Sequence, residues 1–225
     1  IIIGSGATHS SIVNSSLLKE NYSALSDASS NVGTEQVRNS GTVGGNICTG
    51  ASCCDTGPVL LASDCILEIT DGNESREISV NDFFVFHRKT AMKKGEILTK
   101  IKVPKLKIGT GISIEKFGLR NAASISVASA VALITIVDDV CVAAKIVIGA
   151  VAPIPFVSKS ASDILIGASI NDLINDSEVL NRAGDAAVAD SRPLSDIRGS
   201  KDYRKKLVKV LVKRTIKKAA IRATK

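Results

Sequence analysis

The chain has 225 residues, of which 44% are apolar, 23% charged and 3% aromatic, with no Trp. That aliphatic content supports a packed core and excludes a wholly disordered chain, and the length suits one large domain or two small ones. The net charge of +7 suggests a polyanionic partner, but Lys201 to Lys225 alone carries +10 through eleven Lys and Arg and one acid, Asp202, which leaves −3 on residues 1–200.

No apolar run reaches the ~18 residues of a membrane helix. The nearest, Val127 to Val137, is eleven residues long and interrupted by Ser129 and Thr135, and it reads as a buried strand. The start, Ile1-Ile2-Ile3-Gly4, has no Met and no charged leader; it reads as a strand entered partway, so the chain is expected to be a fragment. Five Cys at irregular spacing (48, 53, 54, 65 and 141) argue against a disulfide framework and for a reducing, cytoplasmic setting. They read as small buried hydrophobes rather than as an iron–sulfur site.

In chain order, residues 1–4 are a strand end, and Thr8 to Ser11 start a helix. Glu20 to Ser30 is a short helix, and Gly41 to Ile47, with three Gly in five residues, is a tight loop. Asp55 to Leu61 is a helix with Asp55 as its N-cap. Cys65 to Thr70 and Arg76 to Val80 form a hairpin across Asp71-Gly72, followed by a helical turn at Asn81 to Phe84 and a strand from Ile97 to Val103, ended by Pro104. A domain boundary is placed near residue 108. Beyond it come three strands, Gly111 to Phe117, Ser124 to Val137 and Val140 to Val151, the last two joined at Asp138-Asp139. Helices follow at Ser158 to Leu165, Glu178 to Ala189 and Lys201 to Ala223. Strands first and helices later predict α+β with an antiparallel sheet.

Gly41-Thr42-Val43-Gly44-Gly45-Asn46 is the strongest local signal. Adjacent glycines let the backbone approach a ligand and turn its N–H groups to one point, which suits a phosphate or pyrophosphate. The spacing is neither a Rossmann fingerprint nor a P-loop. Gly4-Ser5-Gly6-Ala7-Thr8 is a second such turn, between strand and helix. His9 and His87 are assigned surface or capping roles. Ser195 to Arg204 reads as an ion-pair network tying a loop to the last helix, whose apolar stripe is read as Tyr203, Leu207, Val210 and Leu211 with basic faces around it.

Taken together, Gln36 to Ile47, Asp55 with Pro58 to Ala62, Asp82-Phe83-Phe84, Arg88-Lys89-Thr90, Glu96-Ile97-Leu98 and Ile101 to Pro104 resemble the FAD-binding medium subunit of the molybdenum hydroxylases, the group of xanthine, carbon monoxide and nicotinate dehydrogenases. Gly149 to Pro155, Leu165-Ile166-Gly167 and Asp196 to Arg204 resemble that family's C-terminal domain, so the likeness spans essentially the whole chain. The resemblance implies an FAD-binding domain at 1–107, the second half of a vanillyl-alcohol-oxidase-type fold without its N-terminal subdomain. It implies a small α+β domain at 108–225 with a three-stranded antiparallel sheet and helices. It carries FAD contacts to Ile3, Gly4 and Thr8, to Gly41, Thr42, Gly44, Gly45 and Asn46, and to Asp55. Leu98 or Ile97 would pack near the isoalloxazine ring, and Lys116 would approach the flavin's polar edge.

The same resemblance implies an electron-transfer subunit with no acid–base triad of its own. Molybdopterin and iron–sulfur clusters would sit on a large and a small partner subunit, and NAD or another acceptor would take the electrons. No nucleic acid and no membrane insertion are expected. The alternative from another class is a non-enzymatic module that binds an acidic partner through the basic last helix.

Overall fold

The structure is a computed structural model that describes residues 1–224. Strand β1 (Ile2–Gly4) is followed by six short helices: α1 (His9–Asn14), α2 (Ser16–Asn21), α3 (Ser23–Ser30), α4 (Glu35–Ser40), α5 (Val43–Cys48) and α6 (Gly57–Ala62). Next come β2 (Ile66–Thr70), β3 (Ser75–Ser79), α7 (Val80–Phe83), β4 (Phe84–Phe86), β5 (Lys89–Thr90) and β6 (Ile97–Lys102). The rest comprises β7 (Thr110–Gly118), β8 (Ser126–Val137), β9 (Val140–Gly149), β10 (Phe156–Val157), α8 (Lys159–Leu165), α9 (Ile170–Ile174), α10 (Glu178–Asp190) and α11 (Lys201–Ala223).

Serine and threonine punctuate the helices. Thr8, Ser15, Thr34, Thr42, Ser177 and Ser200 each accept a first-turn backbone N–H, satisfying donors that the helix itself leaves free. The helix expected over Glu20 to Ser30 is broken at Tyr22, whose backbone leaves helical geometry (φ −153°, ψ 48°) as its ring enters the core. Ring burial outweighs helix continuity there.

The first sheet has the antiparallel order β1-β6-β2-β3. Strand alternation puts Ile3, Ile101, Leu67 and Ile69 in the core under the short helices. The opposite face carries Glu68, Glu77, Lys100 and Lys102, with Lys100–Glu68 at 2.7 Å and Lys102–Glu68 at 3.0 Å. These lysines hold the Glu68 carboxyl down to about 2.

The second sheet, order β10-β9-β8-β7, is four-stranded rather than three-stranded. The extra strand is only Phe156–Val157, which returns along β9 opposite Ile148 and Val147 after the two prolines have turned the chain. Asp138 and Asp139, both left-handed (φ 48° and 60°), make the two-residue turn between β8 and β9 that a twisted hairpin favours. Strand β8 is covered on both faces. Val131 packs into the first core on the side of α6, and Ala128, Ala130, Ala132 and Ile134 belong to the core beneath α8, α10 and α11. That two-sided burial explains its nearly unbroken apolar run.

The alanines let α11 lie close to the sheet. The buried stripe of α11 runs through Arg204, Val208, Leu211, Val212, Thr215, Ile216, Ala219 and Ala220, whereas Tyr203 and Val210 are exposed. The expected stripe was rotated because a buried arginine cannot be told from a solvated one by pattern. Arg204 enters the core because Asp196 accepts from its Nη2 at 2.6 Å. Five further cations of α11 also find acids: Lys209 with Asp185, Lys213 and Lys217 with Asp176, Lys218 with Glu115 and Arg222 with Asp27. Among the described residues, no helix is long and apolar enough to cross a membrane.

Candidate functional site

The two glycine-containing turns meet. Beyond β1, Ser5 N–H donates to Thr99 O of β6 at 2.9 Å, and Ala7 N–H closes a turn on Gly4 O at 2.9 Å. Thr8 then caps α1, its Oγ1 accepting from Ser11 N–H at 3.1 Å. The second turn leaves α4 at Gly41 and enters α5 through Thr42, whose Oγ1 accepts from Gly45 N–H at 3.0 Å. Three backbone bonds join the turns: His9 N–H to Gly41 O at 2.9 Å, Val43 N–H to Ala7 O at 3.0 Å and Gly44 N–H to Ser5 O at 3.0 Å. Thr8 and Thr42 face each other as an antiparallel pair flanked by these bonds, so their own amides point away from each other.

Gly44 and Gly45 are the first turn of α5, not the tight loop the glycine count predicts. Thr42 supplies the cap that lets a helix start on glycines. Gly44 is glycine because a Cβ there would stand 2.6 Å from Ser5 O and 2.7 Å from Ser5 Cβ, which would force the two turns apart. Gly45 differs: it is exposed, and its Cβ would touch only Thr42 Oγ1, at 3.1 Å. A Cβ at Gly4 or Gly6 would meet nothing within 4 Å. The paired turns are therefore sealed beneath and bare above.

Below them lies His9, 1% exposed rather than at the surface, with Nδ1 3.4 Å from Ser29 Oγ. Burial first, and then the Arg38 guanidinium, lower its pKa below the ordinary 6.5. His87 is exposed.

Asn46, one turn into α5, points back into the protein. Its Oδ1 accepts from Thr56 Oγ1 at 2.7 Å, Cys54 Sγ at 2.9 Å and Thr56 N–H at 3.4 Å. This fixes the 54–56 segment and with it Asp55. Asp55 is not the cap of α6, which begins after Thr56. It is buried, accepting from Lys116 Nζ at 2.8 Å and from Ser126 Oγ at 2.5 Å. Desolvation pushes its carboxyl above the usual carboxylate range, and Lys116 and Ser126 pull it back. Lys116 also donates to Asn31 O at 2.9 Å.

The remaining candidates lie in β1 and β6. Ile3 and Leu98 are both buried in the core, Leu98 opposite Ile69, while Ile97 is 65% exposed. Leu98 adjoins Thr99, the residue that holds Ser5. The structure thus brings Gly4, Thr8, Gly41, Thr42, Gly44 and Gly45 together, and links them through Asn46 and Thr56 to Asp55 and Lys116. Sequence reasoning missed Ser5, His9, Thr56 and Ser126. Only His9 carried a signal, as one of two histidines, and it sits beside a recognised turn.

All five cysteines are free thiols. Burial raises the Cys48 pKa to about 11 and those of Cys54 and Cys65 to about 12, so these thiols stay protonated and inert. No group of three or more His, Cys, Asp or Glu among the described residues is arranged to hold a metal ion.

The site fits a dinucleotide. Beside the Thr8–Thr42 pair the backbone is bare at Gly4, Gly6 and Gly45, an arrangement that admits a diphosphate and that added Cβ atoms would narrow.

Comparison with known proteins agrees. The profile of the FAD binding domain in molybdopterin dehydrogenase matches residues 1–106, and that of the CO dehydrogenase flavoprotein C-terminal domain matches residues 116–219. The chain is 28% identical to the carbon monoxide dehydrogenase medium chain of Afipia carboxidovorans, over 99% of this chain and 75% of that one. It is also 28% identical to the xanthine dehydrogenase FAD-binding subunit of Escherichia coli O157:H7, over 98% of this chain and 74% of that one. Among solved structures, CO dehydrogenase from Oligotropha carboxidovorans superposes with a TM-score of 0.91 at 28% identity, covering 98% of this chain and 75% of that chain. Quinoline 2-oxidoreductase from Pseudomonas putida 86 superposes with a TM-score of 0.91 at 25% identity, covering 100% of this chain and 76% of that chain. The chain therefore carries, in order, the FAD binding domain of the molybdopterin dehydrogenases and the CO dehydrogenase flavoprotein C-terminal domain, and along nearly its whole length it is similar to the FAD-binding medium subunits of the molybdenum hydroxylases.

Proposed function

We propose that this chain binds FAD through the paired turns at Gly4–Thr8 and Gly41–Gly45 and serves as the electron-transfer subunit of a molybdenum hydroxylase. The observation that carries the reading is the set of three backbone bonds joining the two turns beneath an open shelf of glycine backbone. In this reading the diphosphate lies along the bare backbone at Gly4, Gly6 and Gly45. The exposed Ile97, rather than the buried Leu98, covers the ring system. The Asp55–Lys116 pair sets the charge at the far end of the site.

FAD, when bound, supplies the capacity to accept electrons singly and to release them in pairs. The protein's share is to bind, orient and shield it. In this proposal the chain works as two units, residues 1–107 and 108–225. It works with a molybdopterin-bearing large subunit and an iron–sulfur small subunit in a reducing, cytoplasmic setting, and NAD or a comparable acceptor takes the electrons. The test is flavin content. The protein purified in its complex should carry one FAD per chain, and Gly45→Val should remove it while leaving the fold intact. A Gly45→Val protein with full flavin content would refute the loop assignment.

A further inference from the structure

A groove of about 580 Å³ lies where the β4–β5 hairpin meets the loops that follow β9 and α10. It is separate from the paired turns and from the Asp55–Lys116 pair. Its floor is Ala150, Val151 and Pro153, and Phe86 and Leu194 form its walls. Leu194 is 81% exposed and Phe86 59% exposed. Large apolar side chains this bare and this close together mark a contact surface rather than a solvated one.

The groove is also a fixed feature. Ala150 is held in the left-handed region (φ 64°), which a residue with a Cβ tolerates only when its surroundings impose it. Ser52 O accepts from its N–H at 2.9 Å, and its own carbonyl accepts from Arg204 Nη1 at 3.2 Å. Arg204 lines the groove with its Nε lacking any partner. The charge there is positive. Asp196, the acid of the groove, is shared by Arg198 at 2.9 Å and Arg204 at 2.6 Å. The exposed side chain of Arg192 forms no ion pair among the described residues, and His87 stands on the rim.

We propose that this groove receives an extended segment of a partner subunit that presents a large apolar side chain next to a carboxylate. The apolar side chain fills the space between Phe86 and Leu194, and the carboxylate meets Arg192. This rests on reading the chain as one subunit of a molybdenum hydroxylase complex.

The test mixes the chain with the large and small subunits of its own complex and follows assembly by sedimentation. Leu194→Asp and Arg192→Glu are each expected to weaken assembly by about tenfold or more, as loss of an anchoring contact does. Both side chains are exposed, so the thermal midpoint should not move. Ile221→Asp, also exposed but about 25 Å further along α11, should assemble normally. If the wild-type chain assembles with neither subunit, the complex reading and this inference fall together. If the wild type assembles and both groove variants assemble with unchanged affinity, or if Ile221→Asp weakens assembly equally, the groove assignment alone falls.

Discussion

Lys116 Nζ donates to Asp55 Oδ2 at 2.8 Å, tying together residues 61 positions apart, one before α6 and the other on β7 of the second sheet. Both side chains are nearly buried, at 7% and 11% exposure. Removing one partner leaves the other charged in a dry place, which costs about 3–5 kcal/mol, whereas replacing both with apolar groups costs far less. Asp55→Asn and Lys116→Met should therefore each destabilise by about 3 kcal/mol, and the double variant by clearly less than their sum. Urea unfolding of the four proteins measures the coupling. Strict additivity would mean that the pair does not tie the segment before α6 to the second sheet.

His9 makes stability depend on pH. Its folded pKa lies below 6.5 because burial, helped by Arg38, disfavours the imidazolium. The unfolded chain then binds a proton more readily than the folded one. The stability that neutral His9 contributes is complete above about pH 6.5 and is lost as the pH falls from there toward the depressed folded value. Since the His9 backbone N–H donates to Gly41 O, displacement of a charged imidazole from its buried place should loosen the paired turns. His9→Gln should flatten the stability profile below pH 6.5. An unchanged slope in the variant would show that another group titrates there.

Asn46 acts inward. Its Oδ1 serves three donors from Cys54 and Thr56, so Asn46→Ala leaves polar groups unpaired and should cost about 1–3 kcal/mol. It should also weaken FAD retention, by releasing Asp55 rather than by loss of a direct contact. Thr56→Val removes the shortest of these bonds and should reproduce a good part of the effect. If Asn46→Ala lost flavin with no change in unfolding midpoint, the inward role would be wrong.

The parts of this fold that follow from local chemistry were legible. Thr8 caps a helix where the sequence starts one, Asp138-Asp139 makes the hairpin, and Val127 to Val137 is the buried strand its apolar run implies. What could not be read depends on contacts distant in sequence. Arg204 is a core residue only because Asp196 and the Val127 and Ala150 carbonyls surround it. Asp55 looked like a cap because its true partner, Lys116, is 61 positions away on β7. The glycine turn looked like a loop because glycine lowers helix propensity, and the cap from Thr42 together with packing on Ser5 overrides that. The site's members were recognisable one by one, but the bonds joining the two turns were not.

The central claim is that bare backbone at Gly45 is the seat of the cofactor, and the adjacent glycine supplies the contrast. Gly44→Ala places a Cβ 2.6 Å from Ser5 O and should damage the fold itself, by about 1–3 kcal/mol. Gly45→Val adds bulk toward the open side, its Cβ meeting only Thr42 Oγ1, at 3.1 Å. The decisive measurement is the FAD-to-protein ratio and FAD affinity of purified Gly45→Val beside its unfolding midpoint. The account predicts a midpoint close to wild type with FAD affinity down by about tenfold or more. A Gly45→Val protein that keeps stoichiometric, tightly bound FAD would contradict it.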